Sequence, residues 1–196
     1  RGDTMKLLAC PKCHQQLHLE NKTLKCENNH CYDISKRGYI NLILNPDKAT
    51  NKPGDSKESL VARKAYLNKG YYDPILNQVI TCVDEFKHQD DLSILDLGCG
   101  EGYYTQGLKK HFENSDIYGL DISKIAIDMA TRYRKDVTWL VGNSKNIPIL
   151  DHSLDFICAL FTVVNQDELK RALKEDGYIV HVTANNQHLI EIKELI

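Results

Sequence analysis

No apolar run in this 196-residue chain approaches the ~20 residues needed to span a bilayer, and no leader with a charged start and an apolar middle opens it. Membrane-spanning functions are therefore excluded from the reading, and a cytoplasmic protein is expected. There is no internal repeat and no low-complexity tract. The seven cysteines are an odd number in a chain without an export signal, which argues against a disulfide framework and for metal ligation. Net charge is only −2, but it is unevenly spread. Residues 1–72 carry thirteen Lys/Arg against seven Asp/Glu, while residues 73–196 carry twelve against twenty. A basic front on an acidic rear suggests that the front meets a polyanion, although a plain solvated surface would carry the same asymmetry.

The chain divides at Asn45 to Ser56, NPDKATNKPGDS, a polar stretch rich in turn formers. Beyond it, apolar residues at helical spacing (Leu60, Ala62, Ala65, Tyr66) predict a helix over 58–67. Ile75, Val79, Ile80, Val83 and Phe86 predict a second helix over 74–86. Strands are then expected near 92–97, 116–121, 136–141, 154–160 and 177–183, with helices at 102–112, 123–133, 166–174 and from about 187. Such alternation argues for an α/β fold, a parallel sheet with helices on both faces.

Within that pattern lies Asp96-Leu97-Gly98-Cys99-Gly100-Glu101-Gly102, after one apolar run and before a helix. A second apolar run, Ile117-Tyr118-Gly119-Leu120, ends in Asp121. Strand, glycine-rich turn, helix and a strand tipped by an acid form the first half of a nucleotide-binding βαβ unit. The glycine spacing fits GxGxxG loosely, and Asp96 and Glu101 would repel a pyrophosphate but suit a ligand carrying ammonium and sulfonium charges. The lettering resembles the first motif of Rossmann-like S-adenosylmethionine-dependent methyltransferases. A dinucleotide, or a turn that binds nothing, are the alternatives.

The front segment has its own chemistry. Cys10-Pro11-Lys12-Cys13 forms a CxxC knuckle, followed by Cys26 and then His30. Two such pairs can close a tetrahedron around zinc, and a module of about forty residues needs that folding free energy because its apolar core is small. Cys31, beside His30, is an alternative fourth ligand. Cys82, Cys99 and Cys158 read as core, and His14 and His18 as solvent-facing.

These strings, with Tyr32-Asp33, Lys36, GYINL at 38–42, PGDS at 53–56, Ala62-Arg63, Gly70-Tyr71-Tyr72 and GEGYYT at 100–105, occur in an order that resembles the RlmA-type 23S ribosomal RNA guanine-N1 methyltransferases, some of which are linked to macrolide resistance. The likeness spans nearly the whole chain. It implies zinc on Cys10, Cys13, Cys26 and His30, and S-adenosyl-L-methionine contacts at Tyr72, Tyr104, Thr105 and His188. The candidate cofactor set is completed by Asp96, Gly98, Gly100, Glu101 and Asp121 of the turn and by Asn143 and Ser144. The implied division is a zinc-binding RNA-recognition module at 1–44, a linker at 45–57 and a Rossmann-like methyltransferase domain at 58–196. That domain is expected to be incomplete at its C-terminal end, since this class usually adds two strands after the fifth. In one place the chain departs from the family: after the fourth expected strand it reads Phe161-Thr162-Val163-Val164, where the family has an aromatic, a small residue and proline.

The implied reaction is transfer of a methyl group to guanine N1 in a hairpin of 23S ribosomal RNA, with a second copy of the chain as a further candidate partner. Lys12, Lys36, Arg37, Lys48, Lys52, Arg63 and Lys64 are the candidate phosphate contacts. No residue is assigned as catalytic. Two rivals stand beside this reading: a methyltransferase acting on a small molecule or protein, with the zinc module as a structural lid, and a non-catalytic RNA-binding protein.

Overall fold

Apolar runs with few charges become strands buried on both faces, and two such runs here form adjacent interior strands of the sheet. They are β5 (Ser93–Leu97) and β8 (Leu154–Leu160). The computed structural model describes residues 5–44 and 56–185. The helix expected from about 187, His188, and nearly all of the linker lie outside the described residues.

In chain order the elements are β1 (His18–Glu20), β2 (Thr23–Lys25), β3 (Cys31–Asp33), β4 (Ile40–Asn41), α1 (Lys57–Leu67), α2 (Asp73–Phe86), β5, α3 (Tyr103–His111), β6 (Asp116–Asp121), α4 (Lys124–Ala130), β7 (Thr138–Val141), β8, α5 (Gln166–Ala172) and β9 (Leu173–Val182). Strands β1 to β3 form a small antiparallel sheet. The large sheet runs β4-β7-β6-β5-β8-β9 with every pairing parallel. Its direction of growth reverses between β5 and β8. Crevices at such switch points, outside the carboxyl ends of the strands, are where open α/β sheets bind ligands.

Because side chains alternate across a strand, the sheet sorts its residues into two cores. Ile94, Ile117, Trp139, Val141, Phe156 and Cys158 face Val79 and Val83 of α2, Leu108 of α3, and Ile127 and Ala130 of α4. Leu95, Leu97, Tyr118, Leu120, Leu140 and Ile157 face the other way. There they meet Leu169 and Ala172 of α5, together with Leu8, Cys10, Leu17, Leu24 and Cys26 of the front module. The expectation of helices on both faces is thus met on the second face by one helix and by the cysteine module, which occupies the position a crossover helix between β7 and β8 would take. Backbone bonds fasten it there: Ala9 N–H to Pro148 O at 3.0 Å and Leu150 N–H to Leu7 O at 2.9 Å. The module also supplies β4, whose Ile40 and Asn41 pair with Leu140 and Val141.

Two sequence readings are corrected. On α1 the buried residues are Leu60 and Leu67, whereas Ala62, Ala65 and Tyr66 are exposed. This helix touches the body along a narrow line against α4, so only one side of its stripe finds a partner. Strand β9 starts at Leu173 rather than near 177, since Leu173 pairs with Leu154 before an irregularity brings Tyr178 opposite Phe156.

Trp139 is the largest fully buried side chain, and its Nε1–H donates to Arg134 O at 2.9 Å. Its ring fills the space left by two glycines: a Cβ on Gly119 would lie 2.5 Å from Trp139 Cζ3, and one on Gly102 2.6 Å from Cη2. Overpacking a rigid ring in a dense core forces backbone shifts. Gly119→Ala is therefore expected to lower stability by about 1–3 kcal/mol in urea unfolding; an unchanged midpoint would show that the ring can move aside.

Candidate functional site

The chain leaves β5 through a turn whose backbone is left-handed at Gly98 (φ +75°), Gly100 (+55°) and Gly102 (+87°). Gly102, bounded by the Trp139 ring, starts α3. The space where a Gly100 side chain would stand is open, with nothing within 4 Å. The turn is tied to the neighbouring strand tip. Gly100 N–H donates to Asp121 Oδ2 at 2.9 Å, and Ser123 N–H to Asp121 Oδ1 at 2.7 Å. An acid at this strand tip is the kind of acceptor that the hydroxyls of a ribose suit.

Behind the turn, Asp96 is 1 % exposed and accepts a 2.5 Å hydrogen bond from Thr105 Oγ1. Burial, reinforced by the charges of Asp121 and Glu101, pushes the Asp96 carboxyl up to about 7, against the pull of the Thr105 hydroxyl. Burial likewise raises Glu101. Glu101 Oε1 and Tyr104 Oη are buried without a hydrogen-bond partner. Orphaned buried oxygens are costly unless a ligand meets them. A cofactor with an ammonium, a sulfonium and a ribose diol offers partners for this set, so the residues present fit S-adenosyl-L-methionine.

The structure gathers Asp96, Gly98, Gly100, Glu101, Tyr104, Thr105 and Asp121 around one turn. Asn143 and Ser144 follow at the end of β7, whose Val141 is paired with Asp121. Asn143 Oδ1 accepts from Lys145 N–H at 3.0 Å, and Asn146 N–H closes the loop onto Asn143 O at 3.0 Å. Tyr72 lies next to Phe161, its ring edge-on to Phe161 at 6.2 Å and to Tyr66 at 6.0 Å. Burial raises the thiols of Cys99 and Cys158 and keeps them neutral, in keeping with core roles.

In the front module, the ligand atoms of Cys10, Cys13, Cys26 and His30 all lie within 4.8 Å of one another. Tetrahedral zinc with the usual bond lengths would separate two sulfurs by about 3.8 Å and a sulfur from a nitrogen by about 3.6 Å. Cys13 Sγ and Cys26 Sγ are 3.6 Å apart, and His30 Nδ1 is 3.4 Å from both Cys10 Sγ and Cys26 Sγ. The Gln15 backbone N–H brings the Cys13 thiol down to about 6, while burial raises that of Cys10. Tyr32 Oη, 3.3 Å from Cys10 Sγ, can donate to it once the sulfur is a thiolate. Cys31 is outside this group: it is exposed and its thiol points to Asn29 O at 3.4 Å. The donor set and spacings fit zinc.

Sequence reasoning missed a bond joining the two sites: Asn146 Nδ2–H donates to Pro11 O, inside the zinc knuckle, at 2.8 Å. No local pattern links residues 135 apart. It also overestimated the free cations. Arg37 Nε is paired with Asp128 Oδ1 at 2.8 Å. Lys64 Nζ is buried over the Tyr133 ring, 3.2 Å from its centroid. Lys48 and Lys52 lie outside the described residues, and Lys12 and Lys36 are exposed.

Two outcomes follow. In metal analysis, His30→Ala and Cys26→Ser should purify without zinc and Cys31→Ser with one equivalent; metal retained by His30→Ala but lost by Cys31→Ser would reverse the ligand assignment. Asp96 titrates near 7 in the free protein, so it is neutral at lower pH, whereas a cationic cofactor favours the carboxylate. Binding should tighten as pH rises through 7, by about tenfold from pH 6 to pH 8, with proton release on the acid side. The linkage for folding has the opposite sign: an acid raised by burial makes stability fall as pH rises. Calorimetric titration of Asp96→Asn should give a flatter profile; an equally steep one would place the titrating group elsewhere.

Comparison with known proteins was consistent at both sites. A family profile described as RlmA, N-terminal, a zinc ribbon, matches residues 8–49, and one described as a methyltransferase domain matches residues 94–177. The 23S rRNA (guanine(748)-N(1))-methyltransferase of Streptomyces fradiae is 27 % identical over 198 residues, covering 100 % of this chain and 70 % of the relative. YxjB of Bacillus subtilis (strain 168) is 28 % identical over 197 residues, covering 97 % and 68 %. Among solved structures, a TehB-like SAM-dependent methyltransferase from Corynebacterium glutamicum superposes with a TM-score of 0.51 at 23 % identity, over 71 % of this chain and 81 % of that one, a likeness of fold alone. With a zinc ribbon of the RlmA kind set ahead of a methyltransferase sheet, and likeness to these relatives along its whole length, the chain is similar to the RlmA-type methyltransferases.

Proposed function

We propose that the chain is an S-adenosyl-L-methionine-dependent methyltransferase that methylates N1 of a guanine in a hairpin of 23S ribosomal RNA. The observation that carries the reading is the acid-lined turn at the switch point, with its two orphaned oxygens, fused to a ribbon of the RlmA kind. The cofactor supplies an electrophilic methyl on sulfur. Asp121 holds the ribose hydroxyls, while Asp96 and Glu101 set a negative field for the ammonium and sulfonium. Asn143 and Ser144 line the adjoining loop, and Tyr72 closes the entrance. A guanine N1 taking up that methyl group would release its proton to water. Alignment alone can lower such a barrier by about 7–11 kcal/mol.

The target base must be unpaired or drawn out of its stack to reach the turn. Lys12 and Lys36, exposed on the ribbon, are the phosphate contacts of this proposal, and action on ribosomal RNA would place the protein in the cytoplasm. No helix among the described residues is long and apolar enough to cross a membrane. A second copy of the chain belongs to the same proposal, supported by the exposed apolar side chains Val61, Tyr66 and Tyr71, and sedimentation tests it.

Methylation at N1 blocks the Watson–Crick edge, so reverse transcription of treated 23S ribosomal RNA should stop at one guanine; activity confined to small molecules or proteins would sink the proposal. Asp121→Ala should weaken cofactor binding by about 1–3 kcal/mol. Lys36→Glu should raise the RNA dissociation constant and flatten its salt dependence, leaving zinc content and cofactor affinity as they were. Wild-type rates for this variant at subsaturating RNA would instead favour the ribbon as a lid.

A further inference from the structure

Four aromatic side chains stand together at the mouth of the cofactor turn, and the chemistry described so far uses only Tyr72. Tyr66 and Tyr71 are 50 % and 62 % exposed, with ring centroids 5.1 Å apart. Tyr72 links them to Phe161, which is 42 % exposed. Rings of this size left in water are a liability in a monomer unless something covers them.

Phe161 is the one best placed for the reaction. It follows directly on β8, at the carboxyl end of the strand beside the switch point. Its backbone is left-handed (φ +56°), a conformation that costs a non-glycine residue of order 1–3 kcal/mol and that persists only where the surroundings hold it. They do so here. Phe161 N–H donates to Val182 O at 2.8 Å, and the Thr162 side chain fills the space next to Gly98 in the cofactor turn. The strained residue is thus anchored from both sides, and its ring is presented to solvent within one residue of the turn that holds the methyl donor.

We propose that Phe161 is the stacking surface for the target guanine, with Tyr72 bracing its ring edge-on. This rests on the reading of the chain as an RNA methyltransferase and names where the extruded base sits. A purine offers a π-face that an apolar pocket of aliphatic residues would not select, and an aromatic partner holds it without competing for the N1 edge that must face the methyl group. Stacking on a protein ring contributes about 1–3 kcal/mol per base, which corresponds to roughly 5- to 150-fold.

The test uses the whole chain with zinc bound. Phe161→Leu keeps apolar bulk and removes the π-face; Phe161→Tyr keeps the face. Single-turnover methylation of a 23S ribosomal RNA fragment should fall roughly 5- to 150-fold in kcat/KM for Phe161→Leu. Phe161→Tyr should stay within about threefold of wild type, and calorimetric cofactor affinity should be unchanged in both. In parallel, RNA with an abasic site at the target position should bind wild type more weakly than intact RNA, and the difference should vanish in Phe161→Leu. Wild-type activity in Phe161→Leu, an equal loss in Phe161→Tyr, or abasic RNA bound by wild type as tightly as intact RNA would each overturn the assignment. The last measurement needs no variant to fold. If wild type itself methylates no guanine N1, the proposed function fails instead, and the wild-type reaction reports that separately.

Discussion

One ring holds the cofactor turn in shape. Trp139 enters from β7, lies against the bare backbone of Gly119 in β6, and reaches the start of α3 at Gly102. Two parts of the βαβ unit, the start of α3 and the strand β6, are thereby set by a single side chain in a close-packed interior. Gly102 would need its left-handed backbone anyway to turn from strand to helix, but the indole adds a second reason for glycine there. The ring's polar edge is satisfied by Arg134 O, so nothing pulls it from the core. The turn's open side, at Gly100, faces away from it, and the acids Asp96, Glu101 and Asp121 are left to define the charge of the ligand.

The second constraint is the attachment of the ribbon. A module of this size, stripped of metal, has little core of its own, and here its apolar residues are not its own at all: Leu8, Leu17 and Leu24 belong to the same cluster as Leu95, Leu120 and Leu140 of the large sheet. The knuckle touches the cofactor loop through Asn146 and Pro11. Metal, ribbon, loop and turn form one connected body, and a fully detachable recognition arm is not what the residues build.

Much of this was readable in the chain. Parallel strands buried on both faces write themselves as apolar runs, which is why the sequence alone marks 116–121 and 154–160 and sets Asp121 at a strand tip. The zinc quartet was readable except for His30 against Cys31, where spacing is indifferent and only the direction of each side chain decides. What stayed hidden was non-local. That Ile40 pairs with Leu140 has no local signature, and neither does the Arg37–Asp128 ion pair or the burial of Lys64 over Tyr133. The α1 stripe misled because helical spacing marks a face without saying what, if anything, lies against it.

The order in which the polypeptide is made gives the β4–β7 pairing a further meaning. During synthesis the ribbon emerges first and can capture its metal at once, yet the edge it contributes must wait about a hundred residues for its partner. Parallel pairing at that separation is slow to close. Until it does, β7 presents an unpaired row of amides, the kind of edge that recruits neighbouring chains. A ribbon already holding zinc is closer to the shape that edge needs, whereas a metal-starved one is a loose chain. Zinc supply during translation would then govern how much of the protein reaches its native sheet and how much aggregates, well before any substrate is met.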